Sequence, residues 1–184
     1  MSFFSKLTPP SRVGEKNFER ARAAEVRRDF GKAREYFEKA AAGFDEHFAN
    51  LKEKIKAPRP SHLVMAGISY VRLGRNEEAL STLDACIGMK EIPDAFLHAG
   101  FAAAKLGQLD KTIDYWSRYP KWSEERLIGN VLKEQVALLR NADAPDLQAA
   151  CEAVVEEAHK QDKKNTRDRL RERGKRDGPK NKGY

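Results

Sequence analysis

The chain has 184 residues, 34% of them charged and 9% aromatic, which fits one domain, or one domain with an appendage, able to bury a sizeable core. No stretch approaches the roughly 18 apolar residues of a membrane-spanning helix, and two cysteines, Cys86 and Cys151, make neither a disulfide framework nor a zinc site; an integral membrane protein and a disulfide-stapled one are excluded. The net charge of +7 is local: residues 159–184 hold eleven of the 35 Lys and Arg but four of the 28 acids, and 24 of each precede them.

Residues 1–13 lack the basic start and long apolar run of a secretory signal, so a cytoplasmic, reduced setting is expected. Phe3, Phe4 and Leu7 bury too little to hold a membrane, and are expected to cap the first helical unit. From residue 14 a helix leads to the turn Arg27-Arg28-Asp29-Phe30-Gly31, and a second helix follows with Ala33, Phe37 and Ala40 on one stripe. That helix is predicted to be long, because Phe44, Phe48, Leu51 and Ile55 keep the spacing. It should stop at Ala57-Pro58-Arg59-Pro60, where proline cannot continue it.

The next helix carries Leu63, Ala66, Gly67, Tyr70 and Leu73. It turns at Leu73-Gly74, and its partner carries Ala79, Leu83 and Cys86. The pattern returns 33 residues later as Phe96, Ala99, Gly100, Ala103 and Leu106, the turn Leu106-Gly107, then Thr112, Trp116 and Tyr119. Gly67 and Gly100 are expected to let the partner helix approach closely. A further pair is predicted over residues 120–158. Ser123 is suited to cap its first helix and Pro145 to open its second, with Leu147, Cys151, Val154, Val155 and Ala158 as the buried stripe. Beyond Ala158 only Leu170 and Tyr184 are large and apolar, so residues 159–184 are expected to fray and then to be largely disordered.

Three copies of a helix, a turn and a helix over residues 14–119, with small residues facing large ones, resemble the tetratricopeptide (TPR) repeat family. The match is specific in the second and third copies; in the first, Arg27-Arg28 replaces Leu-Gly. The resemblance implies an all-α, right-handed superhelical solenoid, with the pair at 120–158 as a degenerate fourth hairpin covering its end. It also implies a concave groove lined by the first helix of each pair. In the repeat register those positions are Phe18 and Arg22, then Val64, Met65, Ile68, Val71 and Arg72, then Leu97, His98, Phe101 and Lys105. The family's best-known mode clamps a terminal carboxylate with lysines, an arginine and asparagines. Phe18, Arg22, Met65, Asp94 and His98 stand at the corresponding places, so that clamp is missing. The groove is expected to take a peptide or helix of a protein partner, or else to be filled by the chain's own terminal segment, with Phe3, Phe4 and Leu7 as candidates.

Chemistry-bearing motifs are scarce. His47, His62, His98 and His159 are scattered, and no phosphate loop, nucleophile elbow or metal-ligand spacing occurs. Cys86 and Cys151 fall on apolar stripes, and Asp94 with His98 reads as a surface i,i+4 pair. A non-enzymatic scaffold or adaptor, with no cofactor and no metal, is therefore expected. The alternatives are a nucleic-acid- or ribosome-associated protein and a small repeat-type secretion chaperone. For the former, Lys163, Lys164, Arg167, Arg169, Arg171, Arg173, Lys175 and Arg176 would supply weak, sequence-blind attraction to nucleic acid or another anionic surface, since no aromatic interleaves them to stack on bases.

Overall fold

The computed structural model describes residues 8–176, all of whose regular structure is helical. The helices are α1 (Pro10–Val26), α2 (Phe30–Glu53), α3 (Pro60–Leu73), α4 (Asn76–Met89), α5 (Pro93–Lys105), α6 (Leu109–Ser117), α7 (Arg126–Asn141) and α8 (Leu147–Arg176). None among the described residues is long and apolar enough to cross a membrane. Each odd helix packs on the even helix after it, and successive pairs meet through α2 and α3, α4 and α5, and α6 and α7. The first helices also touch one another, α1 on α3 and α3 on α5, while α8 returns to pack on α5.

Proline opens α1, α3 and α5, where its fixed φ suits the helix and its missing N–H costs nothing. The turns after these helices are three versions of one geometry. Asp29 N–H donates to Ala24 O, Arg75 N–H to Tyr70 O and Gln108 N–H to Ala103 O, each at 2.9–3.0 Å. The residue before each donor is left-handed: Arg28 at φ 61°, Gly74 at 78° and Gly107 at 71°. These are Schellman closures, which favour glycine because a Cβ is crowded there. The first copy thus keeps the turn despite its Arg-Arg sequence. The end of α2 closes the same way, with Lys56 N–H on Leu51 O at 2.9 Å and Ile55 at φ 52°. The helix therefore stops at Glu53, ahead of the prolines, and Ile55 leaves the apolar stripe to stand 95% exposed.

Close approach within the pairs follows the small residues. A Cβ on Gly67 would lie 2.5 Å from Leu83 side-chain atoms, and one on Gly100 would lie 2.1 Å from Trp116 Nε1. That indole N–H donates to Leu97 O at 3.2 Å inside the core, so the Trp116 ring is fixed at both ends. The core is two clusters that share α5. Ala95, Ala99, Ala102 and Ala103 face the one around Phe37, Tyr70 and Leu83; Phe96, Leu97 and Phe101 face the one around Trp116, Leu132 and Val154. A helix buried on all sides is a central one.

The last pair differs from the sequence expectation at four points. Pro145 does not open α8, which begins at Leu147 behind Asp146, whose Oδ1 accepts the Ala149 N–H at 2.9 Å. Ser123 does not cap α7, which begins at Arg126 after Glu125; its Oγ instead accepts from the Glu125 N–H at 3.3 Å. Val155 is not buried but 54% exposed, on the side of α8 that faces the first helices. The fraying expected from residue 159 is not seen up to Arg176, where α8 ends; the disorder expected of 177–184 lies outside the described residues. Polar docking holds the extension. Buried Gln161 accepts the otherwise free Leu127 N–H at 3.2 Å, Asp162 meets Arg22 at 3.4 Å, and Asn165 donates to Glu125 at 3.4 Å. Residues 1–7 and 177–184 lie outside the described residues, and with them the proposed cap of Phe3, Phe4 and Leu7.

Candidate functional site

Because α8 returns across the first helices, it turns their shared face into a cavity of about 550 Å³. Phe18, Ile68, Leu97 and Phe101 supply an apolar floor from α1, α3 and α5, and Val155 on α8 closes the opposite wall. Of the groove positions named from the sequence, Phe18, Arg22, Ile68, Arg72, Leu97, His98 and Phe101 meet here. Val71 and Lys105 line a second cavity of about 450 Å³ beside Cys151 and Val155, sharing Arg72 and Phe101 with the first. Lys105 is tied there to α8, donating to Gln148 Oε1 at 2.7 Å. Val64 and Met65 line neither; Val64 is buried in the core and Met65 packs against it.

Charged groups gather where α1, α3 and α5 face α8. Glu25 accepts from Arg22 Nη1 and from Arg72 Nε, both at 2.6 Å, so one carboxylate holds two guanidinium groups. Arg22 reaches on to Asp162 at 3.4 Å, and Arg28 contacts His159 at 3.1 Å. On the α5 side stand Asp94 and His98, and Glu125 enters from the segment before α7. Burial pushes the Asp94 carboxyl above the usual carboxylate range; Arg22 and Arg72 pull it back, and Asp162 pushes it up again. Glu125 is also raised, first by burial and then by Asp94.

His98 does not form the surface pair expected of it. It is 6% exposed, packs against the Phe101 ring, and its Nδ1 is buried with no hydrogen-bond partner. Burial, then the positive charges of Arg72 and Arg22, hold its pKa well below 6.5, so the ring is neutral near pH 7. The residues that the sequence did not single out are Glu25, Glu125, His159 and Asp162. Glu25, His159 and Asp162 are polar residues on helices and Glu125 stands just before α7, and only the return of α8 brings them together.

Elsewhere, Cys86 and Cys151 are buried free thiols, and burial raises both, Cys151 to about 11. Among the described residues no three His, Cys, Asp or Glu side chains are placed to share a metal ion. On the outer half of α8, Lys163, Lys164, Arg167, Arg169 and Arg171 are exposed and form no ion pair among the described residues. Arg173, Lys175 and Arg176 lie on the same helix, their side chains outside the described set. Compared with protein-family models, curated proteins and solved structures, the chain matches none.

Proposed function

We propose that the chain is a non-catalytic scaffold or adaptor. In this reading it is a TPR-like, right-handed solenoid of three hairpins closed by the α7–α8 pair, and it holds a segment of a partner protein against its first helices. The observation that carries the reading is the cavity between those helices and α8, which joins an apolar floor to charged groups from several elements. Apolar side chains left facing a cavity of this size are the usual substrate of recognition, because covering them returns hydrophobic free energy. The three matching turns and the Gly67–Leu83 and Gly100–Trp116 contacts support the repeat register.

A photo-crosslinking side chain at position 18, which lies in the cavity wall, should trap a protein partner in cells, and the same side chain at Tyr36 on α2 should not. Equal trapping from both positions, or none from position 18, sinks the reading. A second reading rests on α8: Lys163, Lys164, Arg167, Arg169 and Arg171, exposed and without an ion pair among the described residues, suit a sequence-blind polyanion contact, and they stand on a helix rather than a loose coil.

A further inference from the structure

Acceptors without a close donor gather at the α5 end of the main cavity. Asp94 makes no side-chain hydrogen bond among the described residues, and one helical turn on, the buried Nδ1 of His98 has no partner. Glu125 has only long contacts, from Tyr119 Oη and Asn165 Nδ2, both at 3.4 Å, and Asp162 meets Arg22 at the same distance. Arg22 and Arg72 direct their short bonds to Glu25, both at 2.6 Å, and among the described hydrogen bonds none of their remaining N–H groups reaches Asp94 or His98. His98 Nδ1 is buried, and Asp94, Glu125 and Asp162 are half-buried, so these acceptors have lost water without gaining a close donor, and a ligand that brings N–H groups here gains more than it would at a solvated surface.

We propose that this end of the cavity binds the ammonium group of a lysine carried by the partner segment. The inference rests on the groove reading above and names the chemistry of its partner. An ammonium has three donors and a single charge. Asp94 with Glu125 or Asp162 supplies the counter-charge, and the neutral His98 ring supplies an acceptor. A metal ion is a poorer occupant, since among the described residues no three His, Cys, Asp or Glu side chains are placed to share one. The apolar stem and its neighbours in the segment lie on Phe18, Ile68 and Leu97. An extended peptide suits the space better than a small free amine. The floor runs from α1 through α3 to α5, two helix spacings of about 8–10 Å each, which is the length of about five or six residues at roughly 3.3 Å apiece.

The test uses the full chain, isotope-labelled at histidine, titrated with the acetylated, amidated pentapeptide Ala-Leu-Lys-Leu-Ala, with its glutamate and norleucine counterparts, and with n-hexylammonium. The lysine peptide should bind at least tenfold more tightly than the other two and shift the His98 ring resonances. Asp94→Asn and Glu125→Gln should each cut that preference while the native helical circular dichroism is kept, and Asp110→Asn, exposed on α6, should not. Equal binding of the lysine and norleucine peptides overturns the proposal while the groove reading stands. Preference for the glutamate peptide overturns it in favour of Arg22 and Arg72. Selective, Asp94-dependent binding of hexylammonium without any peptide binding overturns both the lysine-segment proposal and the groove reading. Absence of all binding also overturns it.

Discussion

Arg28 and Ile55 occupy backbone positions that their side chains disfavour. Both are left-handed, at φ 61° and 52°, where a Cβ meets the following carbonyl at a cost of roughly 1–2 kcal/mol, and a β-branched residue is the worse fit. Ile55 is 95% exposed, so nothing is lost from the core when it is replaced. Ile55→Gly and Arg28→Gly should therefore each stabilise the protein by about 1 kcal/mol in urea denaturation, whereas Gly74→Ala should destabilise it by a similar amount. His98 carries a separate consequence. Its folded pKa is depressed, so its contribution is present above the unfolded value of about 6.5 and is lost as pH falls below it, because only the unfolded ring takes the proton. One such ring costs at most about 1.4 kcal/mol per pH unit. Asp94 works in the opposite sense: its raised carboxyl is relieved by protonation at lower pH. Thermal melts at pH 7.5 and 5.5 should show a drop for the native chain and a clearly smaller one for His98→Gln; equal drops would mean that His98 titrates as if exposed.

Among the elements, the pairing of first and second helices was the part most legible in the sequence. Small residues sixteen positions before large ones (Gly67 and Leu83, Gly100 and Trp116) announce a close helix pair, since a larger residue at the first position has no room. Gly100 is the tightest case. Its missing Cβ is replaced by the Trp116 indole, which cannot retreat without giving up its bond to Leu97 O. Gly100→Ala should cost at least about 2 kcal/mol by overpacking, more than the gain in helix propensity of about 1 kcal/mol. Trp116 fluorescence during unfolding would report it, and a neutral result would show that α5 and α6 can separate freely. α8 was less legible, for a physical reason. Apolar periodicity ends at Ala158, and the contacts that extend the docked helix come from Gln161, Asp162 and Asn165, which look the same in a sequence whether they meet protein or water. His98 was misread for the related reason that α5 is buried all round, so position on one face does not decide exposure.

At the scale of the molecule, α8 joins two regions of different character: its first half closes the cavity over the first helices, and its second half presents Lys163, Lys164, Arg167, Arg169 and Arg171 to solvent. The division falls near Asn165, the last residue with a docking contact. Two shortened chains separate the halves. Ending at Asn165 removes only residues without described tertiary contacts, and stability should change by less than about 0.5 kcal/mol. Ending at Ala158 strips the Leu127 N–H of its acceptor and Arg22 of Asp162, and should cost roughly 1–3 kcal/mol. Polyanion binding should divide differently. If about five phosphates of a single strand are engaged, the full chain should bind RNA with a log–log salt slope near −3.5, from roughly 0.7 per phosphate. The chain ending at Asn165 keeps Lys160, Lys163 and Lys164 of the basic run, and should lose most of that slope while keeping its fold. Titrations between 50 and 200 mM salt would read both chains. Identical slopes would place any polyanion site on the helical body, and the outer half of α8 would then have no part in it.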